Sequence, residues 1–345
     1  MASIDVTVRG AGIFGLSIAW ACARRGARVR VIDTVGVGAG SSGGLVGALS
    51  PHVPEAWNEK KAFQLESLLM AEEWWGEVAQ VSGRDPGYAR LGRLQPLEDE
   101  SAVEVARRRE SSAWELWRGL AAWQVVPVTG AAWEPVSASG WLVRDTLSAR
   151  LSPRMGLTAL VGALVERGGE VVVGDAKERG AVIHATGVQG LAGLSGALGK
   201  RIGGGVKGQA LSLRYEAAGL PQLFVDGLHV VPHGDGTVAV GSTSENQWVH
   251  EGIDDAVEGL HRKALAALPV LAGAAVVDRW AGVRPRAVSR APVLGAWPGR
   301  AGHWVANGGF KIGFGMAPKV AEVMADLVLE GRDGVPEGFR IEGLL

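Results

Sequence analysis

Residues 4–33, with the sequence IDVTVRGAGIFGLSIAWACARRGARVRVID, decide the fold. Ile4 to Val8 is an apolar, β-branched alternation that predicts a short buried strand. A glycine-rich turn leads into a helical pattern over Leu16 to Arg25, and Ala27 to Ile32 predicts a second strand that ends in Asp33. A strand, a helix and a strand joined within about thirty residues form a βαβ unit, the beginning of a doubly wound parallel sheet.

The turn between this first strand and the helix has the spacing G-x-G-x-x-G at Gly10, Gly12 and Gly15. The first glycine permits the tight turn, the second lets a pyrophosphate approach the backbone, and the third lets the helix pack closely on the sheet. The helix N-terminus presents unpaired N–H groups and a partial positive charge to the phosphates. Asp33 is placed to accept hydrogen bonds from a ribose 2′-OH. We therefore expect a Rossmann-type dinucleotide-binding domain in an α/β protein.

The composition excludes several classes of protein. With 47% hydrophobic and 21% charged residues over 345 positions, the chain is globular rather than disordered. Lysine plus arginine number 35 and aspartate plus glutamate 36, for a net charge of -1, which gives no bulk reason to expect nucleic acid as a partner. The seven histidines lack metal-binding spacing, so we expect no metal site.

Three further observations bear on the cellular compartment. Cys22 is the single cysteine, so the chain forms no intrachain disulfide. No apolar run reaches the roughly 18 residues that span a bilayer. Met1 to Asp5 lacks the basic start of a signal peptide. We therefore expect a cytoplasmic protein without a membrane span, and we make no prediction of its oligomeric state.

The residues after Asp33 distinguish FAD from NAD. A stretch rich in glycine and serine, 36–44, runs into Leu45-Val46-Gly47-Ala48-Leu49-Ser50-Pro51. Small residues in a row let the backbone lie against a flat ring system and donate N–H bonds to it. At this point the sequence resembles the D-amino-acid oxidase-like family of FAD enzymes, to which glycine oxidase, sarcosine oxidase and D-amino-acid dehydrogenase belong.

The resemblance continues along almost the whole chain in the family's order. The matching segments are KGQ at 207–209, VPHGDG at 231–236 followed by VGST at 240–243, IHATG at 183–187, WAGVRP at 280–285 followed by PVLG at 292–295, and GFKIG at 309–313. It implies a discontinuous FAD-binding domain (1–75, 146–203 and 283–345). It also implies a second, α+β substrate domain built on an antiparallel sheet (76–145 and 204–282). Helical patterns predict a long helix over 102–124 and a last helix that begins near Pro318.

The resemblance assigns the cofactor to the glycine turn, the acidic residue, the loop after it, the A-T-G turn and the C-terminal glycine segment. The expected cofactor-binding residues are Gly10, Gly12, Ile13, Phe14, Gly15, Asp33, Ser41, Ser42, Gly43, Gly47, Ala48, Leu49, Ala185, Thr186, Gly187, Gly308, Gly309, Phe310, Lys311 and Ile312. The single cysteine lies in the first helix, so we expect FAD to be bound non-covalently.

The family's chemistry is oxidation of a C–N bond beside a carboxylate, in which a hydride leaves Cα for the flavin and the resulting imine is hydrolysed. Such a site needs a cation that holds the substrate carboxylate and aims Cα at the ring. Arg284 matches the family's carboxylate-binding position, and its alternative interpretation is a structural ion pair. Lys311 matches the lysine of the G-F-K segment, which binds carboxylate or biases the flavin's charge. We assign no residue as catalytic acid or base.

The histidines supply weaker candidates for the same site. His52 follows the flavin-loop proline and is a candidate for substrate binding, against the alternative of a partly buried structural histidine. His229 and His233 flank a predicted strand end and are candidates for the pocket wall. His184 lies inside an apolar strand and is assigned to the core.

Two other functions stay open. One is the oxidase that acts on a carboxymethylaminomethyl-uridine in tRNA, because Gly140-Trp141-Leu142 is similar to that enzyme's module. That substrate would require a basic funnel, and for the run Arg107-Arg108-Arg109 a solvated helix face is the favoured interpretation. The other is a non-catalytic FAD-binding subunit.

Overall fold

A computed structural model describes residues 4–345 of the chain. The prediction that Met1 to Asp5 lacks the basic start of a signal peptide therefore falls partly outside the described residues. Within that range the structure has seven α-helices: α1 (Ile13–Arg24), α2 (Glu59–Ser82), α3 (Glu100–Leu116), α4 (Pro153–Glu166), α5 (Gly187–Leu198), α6 (Ala256–Ala267) and α7 (Gly313–Glu330). None of the helices between residues 4 and 345 combines the length and the hydrophobicity that crossing a bilayer requires.

The strands of the described residues form two large sheets and one small one. They are β1 (Val6–Arg9), β2 (Val29–Asp33), β3 (Ala48–Leu49), β4 (Arg93–Pro96), β5 (Trp123–Pro127), β6 (Trp141–Asp145), β7 (Ala149–Arg150), β8 (Glu170–Val173), β9 (Ala181–His184), β10 (Gly203–Arg214), β11 (Gln222–Val225), β12 (Leu228–Pro232), β13 (Thr237–Gly241), β14 (Val276–Ala287), β15 (Val293–Ala296) and β16 (His303–Asn307).

The first sheet is the doubly wound sheet that the βαβ unit predicted. Its six strands lie in the order β15-β16-β9-β1-β2-β8, and every neighbouring pair is parallel except β15 with β16. β1 lies in the interior of the sheet, where Val6 and Val8 are fully buried. Strands covered on both faces need this continuous apolar character, which explains why the pattern around residues 4–8 identified the strand. The Rossmann-type fold is therefore confirmed.

The second sheet has eight strands in the order β14-β10-β13-β12-β11-β4-β6-β5 and is antiparallel except between β11 and β4. β10 and β14 are the long strands of this sheet, with 12 residues each, and they pair along nearly their whole length. β10 is buried from Val206 to Leu213, with α6 packed against it. These two strands carry the K-G-Q and G-V-R-P segments, so those segments lie side by side.

The strands of each sheet come from separate stretches of the chain. Those of the first sheet lie within 6–33, 170–184 and 293–307, and those of the second within 93–145 and 203–287. The division into two domains stays a prediction, and this distribution of strands supports it.

The helices of the first sheet share one apolar core. α1 packs against α7 and α4, and α2 packs against α7 and α4. Trp20 of α1 and Trp75 of α2 are fully buried in this core. Trp117 is also fully buried, whereas Trp114, three residues earlier in α3, is 67% exposed. Trp117 therefore packs in the core, as do Trp123 and Trp133, whereas Trp114 faces solvent.

Two of the predicted helix boundaries are wrong. The helix expected over 102–124 ends at Leu116, because Arg118 and Gly119 have positive φ angles of 56° and 67°, which a right-handed helix does not allow. The residues beyond them form β5 instead. The last helix begins at Gly313 rather than near Pro318, which lies in its second turn. A proline there removes one intrahelical N–H bond and is tolerated close to the helix start.

A buried ion pair joins β4 to β6 in the second sheet. Asp145 of β6 is fully buried, and Arg93 Nε of β4 donates to its Oδ2 at 2.8 Å. The Ser148 N–H and hydroxyl also donate to this carboxylate, at 2.8 and 3.0 Å. Removal of the carboxylate's charge would leave a buried guanidinium without its counter-ion.

We expect Asp145→Asn to lower the free energy of unfolding by about 3–5 kcal/mol, the usual cost of breaking a buried pair from one side. Asp278→Asn is the matched control, because Asp278 pairs with Arg154 at the surface, where the two side chains are 39% and 51% exposed. Its effect should stay within about 0.5 kcal/mol. Urea denaturation of both variants measures the difference, and equal losses would contradict a stabilising role for the buried pair.

Candidate functional site

One cavity of about 810 Å³ runs from the turn after β1 to Ser242, just after β13, and to residues 280–285 in the middle of β14. Its wall includes glycines from near the start of the sequence, among them Gly10 and Gly12, and glycines from near its finish, among them Gly309 and Gly313. The volume lies within the range of about 300–1,000 Å³ that small-molecule and cofactor sites occupy. The two glycine-rich regions therefore meet around a single space.

The N-terminus of α1 opens onto one end of the cavity. The N-cap residue of the helix, Gly12, has no side chain to accept its N–H groups, and the first turn has no acidic residue. The Ile13 N–H donates to the Ser42 hydroxyl at 3.0 Å, and a Cβ on Gly12 would lie 3.1 Å from that same oxygen. Gly12 thus keeps the approach to the helix end open. The uncapped N–H groups and the positive end of the helix dipole favour an anion at this point.

Asp33 joins the glycine turn to the end of β2. Its Oδ2 accepts a hydrogen bond from Ala11 N at 2.8 Å, and its Oδ1 accepts from the backbone of Val35 and Gly36 at 2.9 and 3.0 Å. A carboxylate has about four acceptor positions, so about one remains. Asp33 lines the cavity, and that remaining position is available to a ligand hydroxyl.

The loop from Ser41 to Leu49 forms the side of the cavity next to α1. Gly47 has a φ of 63°, and a Cβ there would lie 1.7 Å from the Leu151 carbonyl oxygen, so this position requires glycine. The buried His233 holds the loop from the second sheet, because its Nε2 donates to the Leu45 carbonyl at 3.0 Å. Burial lowers the pKa of His233, which favours the neutral ring.

Arg284 lies at the other end of the cavity and is 7% exposed. Its Nη1 donates to the Ser242 hydroxyl and its Nη2 to the Thr243 carbonyl, both at 2.5 Å, while the Lys207 carbonyl accepts a longer bond of 3.3 Å. The Nε–H is buried without an acceptor. No carboxylate among residues 4–345 forms an ion pair with this guanidinium, and burial lowers its pKa to about 10.

Lys311 brings a second cation to the same end. It lines the cavity, and within the described part of the chain it has neither an ion-pair nor a hydrogen-bond partner. Its Nζ lies 5.9 Å from the centroid of the Phe310 ring, and the guanidinium of Arg284 lies 5.5 Å from the same centroid. Burial and the charge of Arg284 lower the pKa of Lys311. Two positive groups therefore face one cavity without a partner carboxylate.

The histidines separate into two groups. His229 lines the cavity, its buried Nδ1 has no partner, and burial, with the charges of Arg93 and Lys311, lowers its pKa to about 3. The assignment of His184 to the core is wrong, because this residue is half-buried, lines the cavity and contacts His303, Nε2 to Nδ1, at 3.0 Å. His52 does not line it, because Gln64 Oε1 binds both its backbone N–H and its Nδ1.

Most of the expected site residues meet in the cavity wall, and some lie behind it. Those that line the cavity are Gly10, Gly12, Ile13, Phe14, Asp33, Ser41, Ser42, Gly47, Ala48, Ala185, Thr186, Gly187, Arg284, Gly309, Phe310 and Lys311. Those that do not are Gly15, Gly43, Leu49, His52, Gly308 and Ile312. Gly15 still serves the site, because a Cβ there would lie 1.9 Å from the Gly10 carbonyl oxygen.

Sequence reasoning missed several residues of the wall. Arg9 and Trp280 line the cavity, and Ser242 both lines it and bonds to Arg284. Ser242 lies in the V-G-S-T segment and Trp280 in the W-A-G-V-R-P segment. The family segments therefore included both residues, but they did not indicate that either lines the cavity. Arg9 pairs with Glu178 at 3.1 Å, and this polar partner at the strand end explains an arginine where an apolar residue is usual.

Cys22 lies outside the cavity wall and is fully buried in α1, where burial raises the pKa of its thiol to about 12. It is therefore an unreactive thiol that cannot reach a ligand in the cavity. Among the described residues no group of three or more histidine, cysteine, aspartate or glutamate side chains is arranged to hold a metal ion.

Comparison with known proteins identifies relatives along the whole chain. The family model described as FAD dependent oxidoreductase matches residues 5–327. A glycine oxidase of Pseudomonas putida is 30% identical over 383 residues, covering 99% of this chain and 100% of the relative. A glycine oxidase of Bacillus licheniformis is 28% identical over 354 residues and covers 94% of this chain and 93% of the relative.

Solved structures share the fold. The crystal structure of glycine oxidase from Geobacillus kaustophilus superimposes with a TM-score of 0.83 at 22% identity, covering 98% of both chains. The crystal structure of iminodiacetate oxidase from Chelativorans sp. BNC1 also gives a TM-score of 0.83, at 21% identity, and covers 97% of this chain and 98% of that one. At this level of identity the likeness concerns the fold.

We expect Gly12→Val to lower the FAD content of the purified protein by about tenfold or more, because the side chain would fill the space in front of the α1 N-terminus. The absorbance ratio at 450 and 280 nm measures the occupancy. Gly76→Val is the matched control, since Gly76 is exposed on α2 and a Cβ there meets nothing within 4 Å. A Gly12→Val protein as yellow as the control would contradict cofactor binding at this turn.

Proposed function

The chain belongs to the FAD dependent oxidoreductase family, and on that premise we propose that it oxidises the C–N bond of a small amino acid or secondary amine. The resemblance to D-amino-acid oxidase-like enzymes is confirmed by the family match over residues 5–327. FAD is accordingly the cofactor of the family, and the protein is an oxidoreductase. Its substrate and reaction are the content of the proposal.

The observation that carries the proposal is the pair of unpartnered cations, Arg284 and Lys311. Of the two, Arg284 is the buried one, and a buried charge without a counter-ion costs several kcal/mol, so its place at a cavity wall favours an anionic ligand. The planar guanidinium suits a carboxylate, which it can bind with two N–H groups. An amino acid or an N-substituted glycine brings that carboxylate next to the carbon that is to be oxidised.

The residues in the wall fit FAD along the length of the cavity. The uncapped α1 N-terminus and Ser42 would hold the diphosphate, and Asp33 has an acceptor position for a ribose hydroxyl. The backbone of the loop 45–48 and of the segment 309–311 would border the ring system. The chemistry that bound FAD supplies is acceptance of a hydride from the carbon beside the substrate nitrogen, which leaves an imine that water hydrolyses.

The chain's own residues position the substrate. Arg284 and Lys311 hold the carboxylate, and the nearly complete burial of Arg284 keeps this contact in a low-dielectric environment where it is strong. His229 is neutral at pH 7 and too weak a base to take a proton from an ammonium group. If the amine enters in its neutral form, the site needs no catalytic acid or base, and we assign none.

The named relatives favour a small substrate. Those most similar in sequence include glycine oxidases of two bacterial genera, and one structural neighbour is an iminodiacetate oxidase. Glycine and iminodiacetate share a carboxylate one carbon from nitrogen, which is the arrangement that Arg284 can orient. FAD is proposed to be held without a covalent bond through Cys22, because that residue lies outside the cavity wall.

The tRNA alternative has less support. Of the arginine run in α3, Arg109 is paired with Glu55 at 2.6 Å, and Arg107 stacks over the Trp141 ring at 5.0 Å. These arginines are bound to the protein's own surface and do not form the basic funnel that a polyanion requires. The alternative of a non-catalytic subunit is tested by the same experiment as the proposal.

We expect glycine, sarcosine, iminodiacetate or a D-amino acid to bleach the flavin absorbance of the anaerobic protein, and Arg284→Met to slow that reduction at least about a hundredfold. Thermal unfolding and FAD content serve as controls, since Arg284 also bonds to Ser242 and Thr243. Stopped-flow absorbance at 450 nm gives the rate. A protein that no amine or amino acid reduces would be a flavin-binding subunit instead.

The affinity for a carboxylate should fall at high pH. Arg284 has a pKa of about 10, so it is charged at neutral pH and loses its charge as the pH rises toward 10 and above. Burial and the charge of Arg284 lower the pKa of Lys311, so this second cation loses its charge at a lower pH than an exposed lysine does. Calorimetric titration with propionate, which has no amine, should give a constant dissociation constant from pH 6.5 to 8.5 and a rising one above roughly pH 9.5. A constant value up to pH 11 would contradict binding by these groups.

A further inference from the structure

Lys207 lies directly behind the site and is fully buried in β10. Its Nζ donates to Asp254 Oδ2 at 2.5 Å and lies 3.6 Å from Glu245 Oε2. Burial alone would lower the pKa of Lys207, but the hydrogen bond that it donates to Asp254 and the charges of both carboxylates outweigh burial and raise the pKa. Lys207 is therefore a charged group that holds two carboxylates.

A hydrogen-bond network ties these carboxylates to the strand. Lys207 and Glu245 exchange backbone bonds of 3.0 and 2.9 Å, and Gln209 and Thr243 exchange a second pair, Gln209 N to Thr243 Oγ1 at 2.8 Å and Thr243 N to Gln209 O at 3.1 Å. Gln209 Nε2 donates to Glu245 at 3.1 Å and to Asp254 at 2.6 Å. The segment after β13 is thus fixed along β10 by the same residues that hold the charges.

This network orients Arg284. The carbonyls of Thr243 and Lys207 and the hydroxyl of Ser242 accept its N–H groups, and all three belong to the two segments that the network joins. Gly208 makes room for the guanidinium, because a Cβ there would lie 2.2 Å from Nη2. The K-G-Q segment therefore positions the guanidinium in two ways. Lys207 and Gln209 belong to the network that holds the segment after β13, and Gly208 packs against Arg284 itself.

The ionic groups of the network and Arg284 have no net charge only when Lys207 is present. Glu245 is the carboxylate that raises the pKa of Arg284, against the larger opposite effect of burial, so it is the acid near enough to act on that guanidinium. Two carboxylates, Glu245 and Asp254, face two cations, Lys207 and Arg284. Because Lys207 lies within ion-pairing distance of both carboxylates, the guanidinium is left without a partner.

We propose that Lys207 is a positioning residue that keeps Glu245 away from Arg284, and so leaves the guanidinium available to the substrate carboxylate. This inference rests on the proposed function, since it assumes that Arg284 binds a carboxylate. Glu245 accepts a hydrogen bond from the hydroxyl of Thr243, and the carbonyl of the same residue accepts from Arg284. Without Lys207, the carboxylate of Glu245 would lose its cation, and it would compete with the ligand for Arg284 from inside the protein.

The test is a calorimetric titration of the FAD-loaded protein with propionate, accompanied by FAD content and thermal unfolding. We expect Lys207→Met to weaken propionate binding about tenfold or more, because Glu245 then pairs with Arg284. Lys207→Arg keeps the charge and should retain most of the affinity. The double variant Lys207→Met/Glu245→Gln lacks the competing carboxylate, and its dissociation constant should return to within about threefold of the wild-type value.

A merely structural role for Lys207 predicts the opposite result, because the double variant would then bind propionate more weakly than either single variant. Recovery in the double variant supports the proposal, and absence of recovery overturns it. If Lys207→Met does not fold, Glu245→Gln alone decides: unchanged or tighter binding supports the proposal, and weaker binding overturns it. Lys263→Met is the control, because Lys263 forms an exposed pair with Asp226 away from the network.

The same titration separates the two levels of inference. A wild-type protein that does not bind propionate, or an Arg284→Met variant that binds it equally well, refutes the carboxylate site and the role of Lys207 with it. A wild-type protein that binds propionate in an Arg284-dependent manner, together with a Lys207→Met variant of unchanged affinity, refutes the role of Lys207 alone.

Discussion

The close approach of α1 to β1 is the constraint on which the site depends. At Gly15 the helix passes so near the turn that a Cβ would lie 1.9 Å from the Gly10 carbonyl, and at Gly10 itself a Cβ would lie 2.4 Å from the carbonyl of Ala185. Backbone therefore meets backbone at two successive points. This contact aims the uncapped end of α1 at the carboxyl edge of the parallel sheet, where ligands of such folds bind.

The two ends of the cavity attract negative charge by different means. At the α1 end the attraction comes from backbone N–H groups and a helix dipole, which carry no formal charge and hold their direction because the helix is packed. At the far end it comes from two side-chain cations, Arg284 and Lys311. The buried hydrogen-bond network of Lys207 leaves Arg284 without a carboxylate partner. The first arrangement suits a permanent cofactor, and the second suits a ligand that must enter and leave, since a side-chain pair can form and break in each cycle.

The sequence predicted best what depends on the local backbone. Gly10, Gly12 and Gly15 predicted both the turn and its place at the cavity, because a Cβ on Gly10 or Gly15 would clash with a backbone carbonyl and Gly12 faces the Ser42 hydroxyl. The family segments likewise indicated that Arg284 and Lys311 belong together, although they lie on different elements.

By contrast, the end of α3 depends on the left-handed backbone of Arg118, and arginine gives no sign of that conformation. The place of His52 outside the cavity wall could not be predicted, because its partner, Gln64, lies twelve residues later in α2 and has no motif to mark it. The contacts of Lys207 with Glu245 and Asp254 arise only when the segment after β13 folds back along β10, which no local pattern records.

The order of strands in the first sheet has a consequence for biosynthesis. β1 is an inner strand whose neighbours are β2 and β9, and β9 is followed across the sheet by β16. A chain emerging from the ribosome therefore carries one edge of β1 unpaired until residues 181–184 have been made, and α1 lacks the cover of α7 until residues 313–330 follow. Such long-range pairing slows folding, and an exposed apolar edge is open to association with other chains in the meantime. The nascent protein thus passes through about half of its synthesis with β1, a strand buried in the finished fold, paired on one side only, and this unpaired edge is a binding site for chaperones that shield strand edges.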